Sequence, residues 1–273
     1  MRHIAFIGML LCAAACSREA IPEAWEVAVS RAVTGGKNML VVGCKDDEVK
    51  LSGILIPSAE ENTPARWEEP KPTWPGTDDW LDLYVISPVP EGGQLLHSIS
   101  AAAGKTWMVD YLPSTHKPAS FSLTHLMAKL QVHIRVDNHP EQPEPLNATI
   151  ALHTTADIDY PRKALTNLSG RSSGNVSLGT FTQDPSGNWV SAELLVLPQT
   201  LPHGEVCLRF EVSGGDAYTF TPETDLPLLA GKVNHLYLGV AYEQSKVIQI
   251  GSGTSVSDWN DGGSQSEEAA EAS

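Results

Sequence analysis

FSLTHLMAKLQVHIRV, residues 121–136, is the stretch that decides the fold class. From Leu126 onward an apolar side chain occupies every second position (Leu126, Ala128, Leu130, Val132, Ile134, Val136), while His125, Lys129, Gln131, His133 and Arg135 take the alternate ones. A period of two with one apolar side predicts a strand whose sheet is dry on one face and wet on the other. Phe121 and Leu123 stand in the opposite phase, so the inward face must switch near Thr124 and His125, through a β-bulge or a break between two strands. A half-buried antiparallel sheet is expected, not a βαβ core.

The same pattern recurs further along. Val206, Leu208, Phe210 and Val212 alternate with Glu205, Cys207, Arg209 and Glu211, which puts Cys207 on the wetter face, and Leu236, Leu238 and Val240 alternate with His235, Tyr237 and Gly239. No stretch sustains a helical period long enough to anchor an α/β fold. DNHPEQPEPLN, residues 137–147, has three prolines, three acids and almost nothing to bury, and so predicts a boundary between domains. The expected architecture is all-β, with two Greek-key β-sandwiches in tandem at 32–136 and 148–262, the linker 137–147 between them and an acidic tail at 263–273.

The opening MRHIAFIGMLLCAAAC combines a basic start, a short apolar run and small residues before Cys16. This predicts an export signal over 1–15 that is too short to span a bilayer. Ala13, Ala14 and Ala15 before Cys16 suit lipoprotein processing, with Cys16 as the lipidated first residue of a leader over 16–31; ordinary cleavage after Ala15 is the alternative. Acyl chains contribute about 0.8 kcal/mol per buried methylene, so two or more would hold the protein on a membrane. The formal net charge of −15 excludes a nucleic-acid partner on electrostatic grounds. Cys44 and Cys207 read either as two unpaired structural thiols or as a disulfide formed in an oxidising compartment.

Signatures of catalysis are missing from the sequence. AAAGKTW at 101–107 lacks the earlier glycine of a phosphate-binding loop, the histidines show no HExxH spacing, no CxxC knuckle is present, and no GxSxG elbow would set a serine nucleophile. A non-enzymatic protein without metal or cofactor is expected. Trp67, Trp74 and Trp80 lie in or beside the Pro- and Glu-rich segment 57–79, where they either cover the end of a sandwich or form an exposed platform on which a surface lipoprotein stacks glycans.

Three blocks in order, FSLTHLMAKLQVHIRV, PLLAGKVNHLYLGV at 227–240 and VIQI followed by SVSDWNDGG at 255–263, resemble the fimbrillin family of lipoprotein-derived type V pilus subunits. The resemblance implies two transthyretin-like β-sandwiches exported as a lipoprotein precursor and placed at the outer membrane, exposed on the surface as part of a fimbrium. It implies other fimbrial subunits as partners through β-strand addition, membrane attachment through lipid, and an adhesive target on a host or another bacterium. In polymerising members an arginine-specific protease removes an N-terminal strand and opens a groove that a neighbour's strand fills. Carried onto this chain, cleavage falls between Arg31 and Ala32, after the apolar residues Trp25, Val27 and Val29. The corresponding C-terminal donor carries Val247, Ile248 and Ile250, with Val256 and Trp259 beyond. A chain left uncut at Arg31 would be a lipidated anchor or accessory subunit.

Overall fold

The alternation at 128–136 folds into a strand in the computed structural model, which describes residues 27–29, 37–58, 65–76, 79–116, 119–137, 144–172, 174–212, 217–241 and 254–259. The first part of the chain supplies β1 (Val27–Val29), β2 (Met39–Lys45), β3 (Glu48–Ile56), β4 (Arg66–Trp67), β5 (Leu81–Ser87), β6 (Ser98–Ser100), β7 (Met108–Thr115), β8 (Ala119–Phe121) and β9 (Thr124–His125). The long strand β10 (Ala128–Asp137) follows, then β11 (Pro145–Ile150), β12 (Thr155–Asp159), β13 (Ala164–Ser169), β14 (Val176–Ser177), β15 (Phe181–Gln183) and β16 (Trp189–Ser191). The last are β17 (Leu194–Val196), β18 (Gln199–Leu201), β19 (Leu208–Val212), β20 (Ala217–Phe220), β21 (Leu226–Leu228), β22 (Lys232–Ala241) and β23 (Thr254–Asp258). The chain is a β protein, and its one described helical element is the short 3-10 turn Ala101–Ala103.

The first large sheet has the order β4-β3-β2-β5-β7-β9. Its β2–β3 hairpin turns on Asp46 and Asp47, both at positive φ, the conformation a two-residue hairpin of this twist needs and one that Asp tolerates. This sheet is buried on both faces. Met39, Val41, Leu83 and Val85 face a core completed by Ala119, Phe121, Leu123, Trp67 and Trp74. Leu40, Val42, Ile86 and Val109 face a second core shared with Leu126, Met127, Ala156, Tyr160 and Leu197 from further along the chain. The β12–β13 hairpin reinforces that contact: β12 pairs with β6, and the Tyr160 hydroxyl donates to the Leu96 carbonyl at 3.1 Å.

The third core lies between the sheet β15-β16-β10-β22-β23 and the sheet β14-β11-β19-β20. Leu130, Val132, Ile134 and Val136 enter it from β10, Leu236, Leu238 and Val240 from β22, and Ile150, Leu208, Phe210 and Phe220 from the opposite sheet. β10 runs parallel to β22, in register from Lys129↔Val233 to Asp137↔Ala241, and antiparallel to β16 and β17. This corrects the expectation that the strand ending at residue 136 closes an N-terminal sandwich, and that its sheet is purely antiparallel. Its partners begin some fifty residues later, and alternation reveals a dry face without revealing what dries it. Both ends of 137–147 lie within sheets, since Asp137 ends β10 and Pro145, Leu146 and Asn147 open β11.

Around Thr124 and His125 the chain is broken into separate strands: these two residues form the short β9, set off from β8 by residues 122–123 and from β10 by residues 126–127. Phe121 and Leu123 belong to the first core, Leu126 and Met127 to the second, and Ala128, Leu130, Val132, Ile134 and Val136 to the third. Within sixteen residues the chain passes from one sheet system to the next, and the inward phase reverses between Leu123 and Leu126, where the chain leaves the first core.

Candidate functional site

Strand β8 carries the feature of greatest functional interest. Ala119 and Phe121 point into the first core while Ser120 points out, as period-two geometry requires. Along its edge lies β1, parallel and in register: Val27↔Ala119, Ala28↔Ser120, Val29↔Phe121. Thus a strand formed two residues upstream of Arg31 occupies the edge of an element that closes a core. The far end of β8 is fixed by Asp110 on β7, whose Oδ2 accepts from the Ser122 amide at 2.6 Å and whose Oδ1 accepts from the Tyr111 amide at 2.8 Å. The Lys163 ammonium, on the turn between β12 and β13, pairs with the same carboxylate.

The C-terminal end is a second edge. β23 pairs antiparallel with β22, from Lys232↔Asp258 to Leu236↔Thr254, and is the outermost strand of its sheet among the described residues. Val256 is exposed on it. Trp259, just beyond, is buried between two groups of its own chain: the His125 ring stacks on the indole at 4.7 Å and 15°, and the Lys129 ammonium sits 4.7 Å from the ring centroid. Lys129 is itself held by Glu193 at 2.8 Å. Stacking and the cation–π contact add to the burial of a large apolar ring, so Trp259 fastens β23 to β10.

Of the residues singled out by sequence, Cys16, Arg31, Ala32, Val247, Ile248 and Ile250 lie outside the described residues. The tryptophan platform is corrected by the structure. Trp67 and Trp74 are 6% and 8% exposed and belong to the first core, with the Trp74 Nε1 donating to the Asp79 carbonyl at 2.9 Å, and only Trp80 is exposed. The composition of 57–79 looks like a surface loop, but β4 pairs with β3 and brings this segment back over the sheet. Gly53 on β3 permits the approach, since a Cβ there would lie 2.8 Å from the Pro72 ring.

Both described cysteines are free thiols, Cys44 half-buried and Cys207 buried. Cys207 is therefore not on a wet face: it precedes β19, and its amide donates to the Phe220 carbonyl at 2.9 Å. Burial pushes its thiol up to about 12 against the opposing pull of the Arg171 charge, and burial, then Asp47 and Asp82, raise that of Cys44. Since the thiolate is the reacting species, Cys207 in the native protein is expected to resist a disulfide-exchange reagent at pH 8 and to react fully in denaturant. Thiol titration with and without guanidinium checks this, and rapid labelling of native Cys207 would contradict it.

A family model described as fimbrillin-like matches residues 58–259. Among solved structures, a candidate cell adhesion protein from Bacteroides uniformis superposes with a TM-score of 0.57 at 16% identity, covering 86% of this chain and 98% of its own. One from Parabacteroides distasonis gives 0.52 at 9% identity, covering 89% and 94%, and one from Bacteroides eggerthii 0.50 at 11%, covering 86% and 92%. These likenesses show the fold. No curated protein matches the sequence.

Proposed function

The chain belongs to the fimbrillin-like family, and on that premise we propose that it is a structural, non-enzymatic subunit of a surface fimbrium that assembles with other fimbrial subunits by β-strand addition. The observation that carries this reading is β1: a short strand just upstream of Arg31 lies on the edge of β8, whose Ala119 and Phe121 help close the first core. Cleavage between Arg31 and Ala32 would cut β1 from the body of the chain. Its departure would leave the β8 edge without a ladder partner and the core beneath it open to an incoming strand. Each apolar side chain that a donor buries there contributes about 1.5–3 kcal/mol, offset by the entropy of ordering the strand.

In this reading the precursor is carried to the outer membrane as a lipoprotein modified at Cys16. No helix among the described residues is long and apolar enough to cross a membrane. The donor is the C-terminal segment with Val247, Ile248, Ile250, Val256 and Trp259. Because β23 already pairs with β22, the donor must first leave its own sheet, and the clamp on Trp259 sets the resistance to that step. Arginine-specific proteolysis of the intact precursor should yield a mature chain starting at Ala32, by mass spectrometry, together with polymers in sedimentation. Arg31→Ala should abolish both, and Trp259→Ala should speed polymerisation of the cleaved chain. Polymers forming equally well from Arg31→Ala protein would overturn the proposal.

A further inference from the structure

The wet face of the β10–β22–β23 seam holds an arrangement that strand addition does not use. His133 on β10 and His235 on β22 approach with Nε2 of the first 3.2 Å from Nδ1 of the second. Tyr237 stacks on the His133 ring at 4.5 Å and 23°, and the Ser257 Oγ on β23 lies 3.4 Å from the other ring nitrogen of His235. Three strands therefore position the two rings.

We propose that His133 and His235 chelate one divalent transition-metal ion of the copper and zinc class, with solvent filling the remaining coordination positions. The first argument is distance. Two imidazole nitrogens each about 2.05 Å from one ion, at an angle between 90° and the tetrahedral value, lie about 2.9–3.4 Å apart, and the observed separation falls in that interval. The second is orientation. If the Nε2–H of His235 donates to Ser257, the Nδ1 lone pair of His235 faces His133, and an outer partner of this kind is what commonly holds a metal-ligating imidazole in place. His133 meets the ion through Nε2 once its single proton resides on Nδ1. That is a tautomeric change with no net loss of a proton, and a small turn about the broad χ2 torsion aims the lone pair.

The electrostatics agree. The carboxylates of Asp184 and Glu193 supply the negative field, acting on His133 and His235 respectively. Among the described residues no third His, Cys, Asp or Glu completes a cluster, so the site is a two-ligand chelate with open positions. Neutral nitrogen ligands select copper, nickel and zinc over calcium and magnesium, which favour oxygen. An ion here would link β10 to β22 and, through His235 and Ser257, order the outer strand β23.

The test is calorimetric titration of the full chain, expressed without a histidine tag, with Cu²⁺ and with Zn²⁺. One saturable site is expected, with at least a tenfold loss of affinity in His133→Ala and in His235→Ala and no change in His203→Ala, all three retaining the wild-type circular dichroism. X-ray absorption of the zinc complex should show two imidazole nitrogens, and the unfolding midpoint should rise on loading. Absence of saturable binding, undiminished affinity in either single variant, or equal affinity for Ca²⁺ would overturn the proposal.

Discussion

A fragment spanning residues 138–262 is expected to show no cooperative unfolding transition, whereas one spanning 127–262 should unfold cooperatively, although less stably than the whole chain. The difference between them is β10. That strand places Ala128, Leu130, Val132, Ile134 and Val136 in the third core, each at 1% exposure or less, and it pairs with β22 along nearly its whole length. The four larger side chains alone represent about 1.5–3 kcal/mol each of burial, against a total stability of about 5–15 kcal/mol for a typical domain. Without them the shorter fragment has an open β22 edge above an unfilled cleft, a template for aggregation. The longer fragment keeps every member of the third core, but Met127, Ala156, Tyr160, Leu197 and Trp259 lose their neighbours across the second. Urea titration followed by circular dichroism distinguishes the two. A cooperative transition in 138–262 matching that of 127–262 would show that β10 is dispensable.

This expectation also marks how far the sequence could be read. Period-two alternation identified the strand, its dry face and the all-β class, because those follow from side-chain spacing alone. The partner of the dry face was not legible. Ile134 lies opposite Leu238, and the residues between them in the chain carry no sign of that pairing. Proline-rich composition at 137–147 suggested a boundary, yet the chain changes core at Leu126 and Met127, where the only local sign was the phase reversal after Phe121 and Leu123. For Trp67 and Trp74 two readings stayed open, a cover over a sandwich or an exposed platform, for a related reason: prolines and acids around them describe the solvent side of a segment, while the indoles beneath complete a core. The β1–β8 pairing lay further from view. Val27, Ala28 and Val29 are apolar enough for a strand, but parallel pairing with residues 119–121 depends on a tertiary edge that no spacing rule encodes.

Asp110→Ala should lower the unfolding free energy by about 3 kcal/mol, and Lys163→Met by clearly less. The Asp110 carboxylate is 1% exposed and satisfies two backbone amides, those of Tyr111 and Ser122, besides pairing with Lys163. Truncation removes the acceptor for both amides, and each buried donor left without a partner costs about 1–3 kcal/mol. It also strands a cation, which in a fully buried pair brings the loss to about 3–5 kcal/mol. Here the Lys163 side chain is 33% exposed and can turn to water, so the lower end of that range applies. Lys163→Met leaves the carboxylate with its two amide donors and removes only the charge partner. The asymmetry has a functional side, because Ser122 directly follows β8. Loss of the carboxylate should loosen β8 at the edge where β1 pairs, so hydrogen exchange at residues 119–122 should rise more in Asp110→Ala than in Lys163→Met. Denaturant titration of both single variants and of the double variant gives the coupling energy directly. Equal destabilisation by the two substitutions would mean that the ion pair with the β12–β13 turn, not the amides, is what holds β8 in place.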